Sequence, residues 1–245
     1  MTSAIFVNDS AVAITSTDHI ITFTARSSFT KHNSTVVVVD GNKVGFTPFH
    51  IAAVPPPMSF LEHPIDFVPN TILLSDNVCL LQSSYLEYQL LVIDSDYTKC
   101  DIVKSGRLPS PAALLVGQNI YCISDDNKLI DANSMTTIFE GILDVKRSEI
   151  LVNHYLSISA NGDFVNVHDQ TFAVIASIPT CNQQNINQYD VVCVKSQYHL
   201  IARCGSKFSN GDSVIVSNAL SCLFLPDFTF ITTTGQKMFT LPNDL

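Results

Sequence analysis

The stretch Val36–Phe46, VVVVDGNKVGF, decides the fold class of this chain. Four valines precede the turn signal Asp40-Gly41-Asn42, and a second apolar segment follows it. β-Branched residues favour strands, and Asp, Gly and Asn favour turns. Similar short runs recur along the whole chain, with turn signals between them, and no long segment has helical periodicity. The sequence therefore predicts an all-β protein, with closed barrels or a sandwich as two ways to avoid exposed strand edges.

The composition excludes several classes of protein. The chain has 245 residues, of which 46% are hydrophobic and 14% are charged, as in a compact globular protein. No apolar run is long enough to span a bilayer, so no membrane insertion is expected. Thirteen Lys and Arg oppose 22 Asp and Glu, giving a net charge of −9 without any basic cluster. We therefore expect no nucleic-acid partner.

The cysteines indicate free thiols. There are seven, an odd number, and no two of them form a C-x-x-C pair. This pattern argues against a zinc ribbon and against a disulfide framework. Buried free thiols in a reducing compartment are the simplest interpretation, and the sequence predicts neither a metal nor a cofactor.

The segment KSGRLPSPAALL, residues 104–115, has the composition of a linker between two halves of similar size. Each half could close as a six-stranded barrel. The predicted fold is therefore all-β, with two six-stranded antiparallel β-barrels (chymotrypsin-like) at residues 1–107 and 108–200. Residues 201–245 would form a short C-terminal β extension or complete the second barrel.

A hydrolase with two such barrels uses a histidine base, an orienting carboxylate and a nucleophile, in this order along the chain. His50 follows an apolar run and is the candidate base. Asp101 is the candidate carboxylate, with Asp94 and Asp96 competing for the role. Ser159 is the candidate nucleophile. The alternatives are a half-buried imidazole at a strand end, a carboxylate at a strand edge and a surface serine in a β-turn.

The segment around His50 resembles the one that carries the catalytic histidine of the coronavirus and torovirus main proteases, which are chymotrypsin-like proteases of nidoviruses. Three further segments resemble the same family: the strand pair Leu90–Val103, the pair Gly117-Gln118 that opens the second barrel, and the nucleophile loop around Ser159. The matching residues are Phe46, Pro48, His50 and Ile51 in the first segment, Cys100 in the second, and Ser159 and Phe164 in the last.

The resemblance implies a serine-type endopeptidase in which Ser159 attacks the peptide and His50 acts as base, with Asp101 orienting it. It also implies substrate contacts by Ser157 and by a histidine near Ser177. The chain has no histidine at Ser177, and His168 and His199 are the alternatives. The chain departs from the family pattern because Ser157 and Ala160 replace the two glycines that flank the nucleophile. Cys204 is a second candidate nucleophile. An alternative overlay on Gly162-Asp163-Phe164 leaves a phenylalanine at the nucleophile position.

Two functions remain open at this point. The first is a viral polyprotein-processing main protease in the host cytoplasm, with a peptide or polyprotein substrate and a possible homodimer. The second is a non-enzymatic protein, either a catalytically dead protease fold or another viral β protein such as a coat, attachment or interaction domain. The segment around His50 and the ordered spacing of the later motifs favour the first, which is the predicted function. The missing glycines, the few charges and the many β-branched strands are the grounds for the second.

Overall fold

The structure is a computed structural model. It describes the backbone in several segments, and residues 59–180 are the longest of them. Side chains are described for residues 35–39, 42–48, 59–180, 189–193 and 196–202. The backbone is described for residues 3–8, 11–15, 20–24, 28–32, 35–40, 42–48, 59–180, 186–194, 196–204, 207–210, 213–216, 222–224, 229–232 and 238–240.

The described residues form 26 strands and no helix. The strands are β1 Ser3–Asn8, β2 Ala11–Thr15, β3 Ile20–Thr24, β4 Ser28–His32, β5 Thr35–Asp40, β6 Lys43–Pro48, β7 Leu61–Pro64, β8 Thr71–Ser75, β9 Val78–Gln82, β10 Glu87–Ile93, β11 Cys100–Arg107, β12 Ala112–Val116, β13 Asn119–Ile123, β14 Lys128–Asp131, β15 Thr137–Glu140, β16 Ile142–Arg147, β17 Tyr155–Ser159, β18 Phe164–His168, β19 Val174–Pro179, β20 Ile186–Val194, β21 Gln197–Cys204, β22 Lys207–Asn210, β23 Ser213–Val216, β24 Cys222–Phe224, β25 Thr229–Thr232 and β26 Met238–Thr240.

These strands pair into seven small sheets in which each strand is next to its neighbour in sequence. Five sheets have four strands, namely β4–β7, β8–β11, β12–β15, β16–β19 and β20–β23, and the sheets β1–β3 and β24–β26 have three. Every pairing with a determined register is antiparallel, as short connections between successive strands require. The all-β prediction is confirmed. The prediction of two six-stranded barrels is wrong, because the strands pair only within small sheets.

The stretch that decided the fold class forms the hairpin β5–β6. Its register pairs Val39 with Val44 and Asp40 with Lys43, so Gly41 and Asn42 connect the two strands. Val37, Val44 and Phe46 are each fully buried. The alternation of strand and turn residues in the sequence therefore corresponds to a real hairpin.

Three pairs of successive four-stranded sheets pack face to face. One core cluster joins β5 and β6 to β9 and β10, and includes Phe46, Leu81 and Leu91. A second joins the other face of β9 and β10 to β12, β13 and β14, and includes Leu80 and Ile120. Because both faces of the sheet β8–β11 are covered, its two middle strands are continuous apolar runs rather than alternating ones. A third cluster joins the sheets β16–β19 and β20–β23 in the same way.

The chain divides into two compact units. The first consists of Met1–Ser3, Asp9–Asp125 and Leu129–Thr137, and the second of Ala4–Asn8, Asp126–Lys128 and Ile138–Leu245. The predicted boundaries at 107/108 and 200/201 stay predictions. The segment 104–115 is not the linker that its composition suggested, because its residues 104–107 belong to β11 and residues 112–115 to β12.

Candidate functional site

The strand β11, which forms one edge of the sheet β8–β11, is the candidate functional site. β11 has eight residues, and every one after Cys100 is exposed. Two of the exposed side chains are large and apolar: Ile102 is 45% exposed and Val103 is 47% exposed. An exposed apolar pair on a strand edge is a feature that a protein partner can cover.

The outer backbone edge of β11 offers free hydrogen-bonding groups. In an antiparallel pair, hydrogen-bonded and non-hydrogen-bonded residue pairs alternate. The N–H of Leu108 donates to the C=O of Leu86 at 2.8 Å, so the register makes Lys104 a hydrogen-bonded partner of β10. Ser105 and Arg107 therefore direct their N–H and C=O groups away from β10. β10 is the only strand that pairs with β11 in the part of the chain that the structure describes.

The strands that come last in the other four-stranded sheets protect their edges in ways that β11 does not. β15 and β23 have only four residues each, and short edge strands offer few free groups. β7 ends at Pro64 and β19 ends at Pro179. Both prolines occupy non-hydrogen-bonded positions, because the following residue donates to the neighbouring strand in each case. A proline there removes an outward N–H, whereas β11 contains no proline.

The charge of this strand is opposite to that of the whole chain. Lys104 and Arg107 oppose Asp101 within β11, in a chain of net charge −9. The Lys99 ammonium lies 2.6 Å from the Asp101 carboxylate, and this hydrogen bond raises the pKa of Lys99. The Lys104 ammonium donates to the side chain of Asn133. The end of β11 from Lys104 to Arg107 is thus basic and lies next to the apolar pair Ile102 and Val103.

Two of the residues predicted to be catalytic can be compared with the structure, and His50 lies outside the described residues. Asp101 is an exposed residue of β11, where its carboxylate accepts from Lys99. Ser159 ends β17; its hydroxyl donates to Asn161 Oδ1 at 2.8 Å and accepts from the Phe164 N–H at 3.0 Å. Ser159 thus closes a β-turn, which is the alternative that the sequence left open. The competing Asp94 also closes a turn, by accepting from the backbone of residues 98 and 99.

Ser157 and His168, both predicted to contact a substrate, lie together inside the protein. The Ser157 hydroxyl is 2.8 Å from His168 Nε2, and Nδ1 is 3.1 Å from the Phe172 carbonyl oxygen. Nδ1 therefore carries the proton, and the Ser157 hydroxyl donates to Nε2. The imidazole stacks on Phe139, with ring centroids 4.7 Å apart. Both side chains are at most 1% exposed, so this pair holds the sheet together rather than facing a ligand.

The remaining predicted residues have local roles. The Ser177 hydroxyl donates to Asn166 Oδ1 at 2.7 Å on the exposed strand β19. His199 lies in β21, and its Nε2 is buried without a hydrogen-bond partner. Among the residues with described side chains, no three His, Cys, Asp or Glu groups could together hold a metal ion. A membrane-crossing helix is absent from the described part of the chain.

Small antiparallel sheets that follow one another along the chain and pack face to face are the blades of a β-propeller. A family model described as the ELP1 N-terminal second beta-propeller matches residues 38–103, which include β11 up to the bulge at Val103. Solved structures with this fold match nearly the whole chain. No curated protein matches the sequence.

Three solved structures illustrate the similarity. BBS1N in complex with ARL6DN has a TM-score of 0.59 at 14% identity, over 97% of this chain and 86% of that chain. A chain of a mitotic checkpoint complex has a TM-score of 0.55 at 10% identity, over 97% and 86%. The WD40 β-propeller domain of Doa1 has a TM-score of 0.52 at 10% identity, over 94% and 85%. The chain therefore has a β-propeller fold.

This fold corrects the predictions that followed from the protease resemblance. The chain is not a chymotrypsin-like main protease, and nothing in the similar proteins supports a serine endopeptidase or polyprotein processing. The physical reason is the pairing of the strands: blades of four consecutive strands replace the two closed barrels that would carry a catalytic triad. The alternative of a non-enzymatic β protein with an interaction role fits the fold better.

Sequence reasoning placed residues 100–103 in a strand but missed β11 as a site, because the polar residues and Gly106 in its second half, residues 104–107, resembled a linker. A usable signal was present, since the segment CDIVKSGR contains two adjacent β-branched residues between charged ones. Exposed outer strands have less apolar sequence than inner strands, so they resemble loops when the sheet is unknown.

Proposed function

We propose that this chain is a non-catalytic interaction domain that binds a protein partner through β11. The observation that carries the proposal is the exposure of seven of the eight residues of this strand, with Ile102 and Val103 at its centre. A fold by itself does not define a function, so the argument rests on this surface. The similar protein BBS1N was solved in complex with ARL6DN, which supports partner binding as a use of the fold.

The location of the protein stays a prediction. Cys79, Cys100, Cys122 and Cys193 are free thiols in the described part of the chain. Free thiols are typical of reducing compartments, so they support the proposal of a cytoplasmic protein.

Site-specific crosslinking in extracts of the source cell tests the proposal. A photoreactive amino acid replaces Val103 on β11 or, as a control, Leu143, which is 51% exposed on β16 in another sheet. We expect one partner to crosslink at Val103 and not at Leu143. Adding Ile102→Asp should remove this crosslink, because a charge would enter the apolar centre of the contact. Equal crosslinking at both positions, or a crosslink that survives Ile102→Asp, would contradict the proposal.

A further inference from the structure

We infer that β11 binds an extended, acidic segment of the partner by strand addition, so that the segment becomes a fifth strand of the sheet β8–β11. This inference rests on the proposed function, which makes β11 the contact surface. It adds the conformation and the charge of the segment that binds there. Three features of the strand support it: its backbone, its length and its charge.

The backbone supplies the hydrogen bonds for an added strand. Ser105 and Arg107 face outward, so each presents one N–H and one C=O to a segment that lies alongside. Strand addition derives its affinity from such main-chain bonds and its specificity from alternate side chains. The described residues contain no strand beyond β11 that would satisfy these groups.

β11 has eight residues, whereas the last strands of the other four-stranded sheets have four to six. A bulge at Val103 interrupts the register, because Lys104 pairs with Leu90 while Ile102 pairs with Leu91. The four residues from Lys104 to Arg107 pair regularly with β10 and form a straight section of edge. The bulge shortens the regular section of the edge, which discourages pairing with a long strand of another molecule. A short segment can still pair with the four residues that remain.

The charge selects an acidic segment and disfavours a second copy of this chain. Lys104 and Arg107 flank the outward groups of Ser105, whereas the charge of Lys99 is balanced by its ion pair with Asp101. Pairing of two copies through β11 would bring these basic side chains together, and like charges on adjacent strands are unfavourable. Acidic residues in the segment would instead oppose them, while its apolar residues would cover Ile102 and Val103.

Peptide binding tests the inference directly. The probe is a fluorescent peptide of about ten residues in which glutamate alternates with valine or threonine, a pattern that favours an extended strand. One comparison peptide has lysine in place of every glutamate, and another has a central proline. We expect the full chain to bind the acidic peptide, to bind it more weakly as salt rises, and to bind neither comparison peptide at the same concentrations.

A pair of substitutions at one position separates the backbone from the side chain. Ser105→Pro removes the outward N–H without removing a hydrogen bond to β10, and Ser105→Ala keeps this N–H. We expect Ser105→Pro to weaken binding about tenfold or more, and Ser105→Ala to change it less than about twofold. Arg107→Glu should weaken binding of the acidic peptide and strengthen binding of the lysine peptide. This charge reversal tests the inference even if Ser105→Pro fails to fold, which circular dichroism reveals.

The outcomes separate this inference from the proposed function. Equal binding of the acidic and lysine peptides, or unchanged binding by folded Ser105→Pro, would overturn the inference. If no peptide binds but the Val103 crosslink persists, the inference fails and the proposed function stands; if both are absent, both fail. A dimer in analytical ultracentrifugation that Ser105→Pro dissociates, without peptide binding, would assign the edge to a second copy and overturn the inference.

Discussion

Replacing the buried carboxylate of Asp190 should destabilise the protein more than most single substitutions do. Asp190 lies in β20 and is fully buried. Its Oδ1 accepts from the Ser148 hydroxyl at 2.5 Å and from the Val191 N–H at 2.7 Å, and its Oδ2 accepts from the Glu149 N–H at 2.8 Å. The Lys146 ammonium lies 3.8 Å from Oδ2. Because Lys146 lies in β16 and Ser148 and Glu149 lie in the connection from β16 to β17, this carboxylate ties the sheet β16–β19 to the sheet β20–β23.

The magnitude follows from these three donors. A hydrogen bond to a charged group contributes about 1.5–3 kcal/mol, and a buried donor left without a partner costs about 1–3 kcal/mol. These terms overlap, because the three donors lose the same carboxylate at once. We therefore expect Asp190→Ala to lower the free energy of unfolding by about 3–5 kcal/mol, against a total of about 5–15 kcal/mol for a typical protein. Asp190→Asn keeps the shape and one acceptor, so its effect should be smaller.

Urea denaturation followed by circular dichroism measures this effect, because the chain contains no tryptophan. Asp125→Ala is the matched control, since Asp125 is exposed and its loss should change stability by less than about 0.5 kcal/mol. In the double variant with Ser148→Ala, the two effects should not add, because the residues share a hydrogen bond. A loss below about 1 kcal/mol for Asp190→Ala, or full additivity with Ser148→Ala, would refute the reasoning.

Three further predictions test the core and its titratable groups. Burial lowers the pKa of His168 below 6.5, so the unfolded chain takes up a proton more readily than the folded chain does. The free energy of unfolding should therefore fall as the pH drops below about 6.5. Urea midpoints measured across this pH range should show a smaller loss for His168→Gln. Burial raises the pKa of Cys100 to about 12 and that of Cys122 to about 11. Both thiols should therefore react with iodoacetamide at about pH 8 far more slowly in the folded than in the unfolded protein, and peptide mass mapping measures these rates. Gly45→Ala should destabilise the protein by about 1–3 kcal/mol in urea denaturation, because the added methyl group would overlap the side chain of Ser59.

The sequence could predict the strands but not how they assemble. The hairpin β5–β6 follows from four valines and an Asp-Gly-Asn turn, which are local features. The grouping of strands into blades depends on which apolar faces meet, and that is a property of the packed core. The continuous run around Leu80 and Leu81 indicates burial on both faces, yet it fits a strand between stacked blades as well as one in other closed β structures.

The apparent protease motif has a structural explanation. Phe46 is fully buried in the core between two blades, and Pro48 ends β6 opposite Thr35. The apolar residue therefore packs the core and the proline ends the strand, and both roles are independent of the residue that follows them. The candidate nucleophile Ser159 is likewise explained by the turn after β17. Residue types alone did not distinguish these local requirements from catalysis, because the distinction lies in which side chains converge in space.

The edge strand β11 has eight residues and no proline, although a proline would block strand pairing at this edge. An exposed edge invites aggregation, and the chain counters this on β7 and β19 with Pro64 and Pro179. One proline at an outward position of β11, such as Ser105, would remove a free donor without disturbing the pairing with β10. The fold therefore does not require the free edge, and β11 relies on a bulge and basic residues, which exclude like-charged strands but admit acidic ones. If the bulge and the basic residues only prevented aggregation, the edge would bind no peptide. Binding that depends on the sign of the peptide's charge and on the Ser105 N–H would therefore show that β11 is a docking strand.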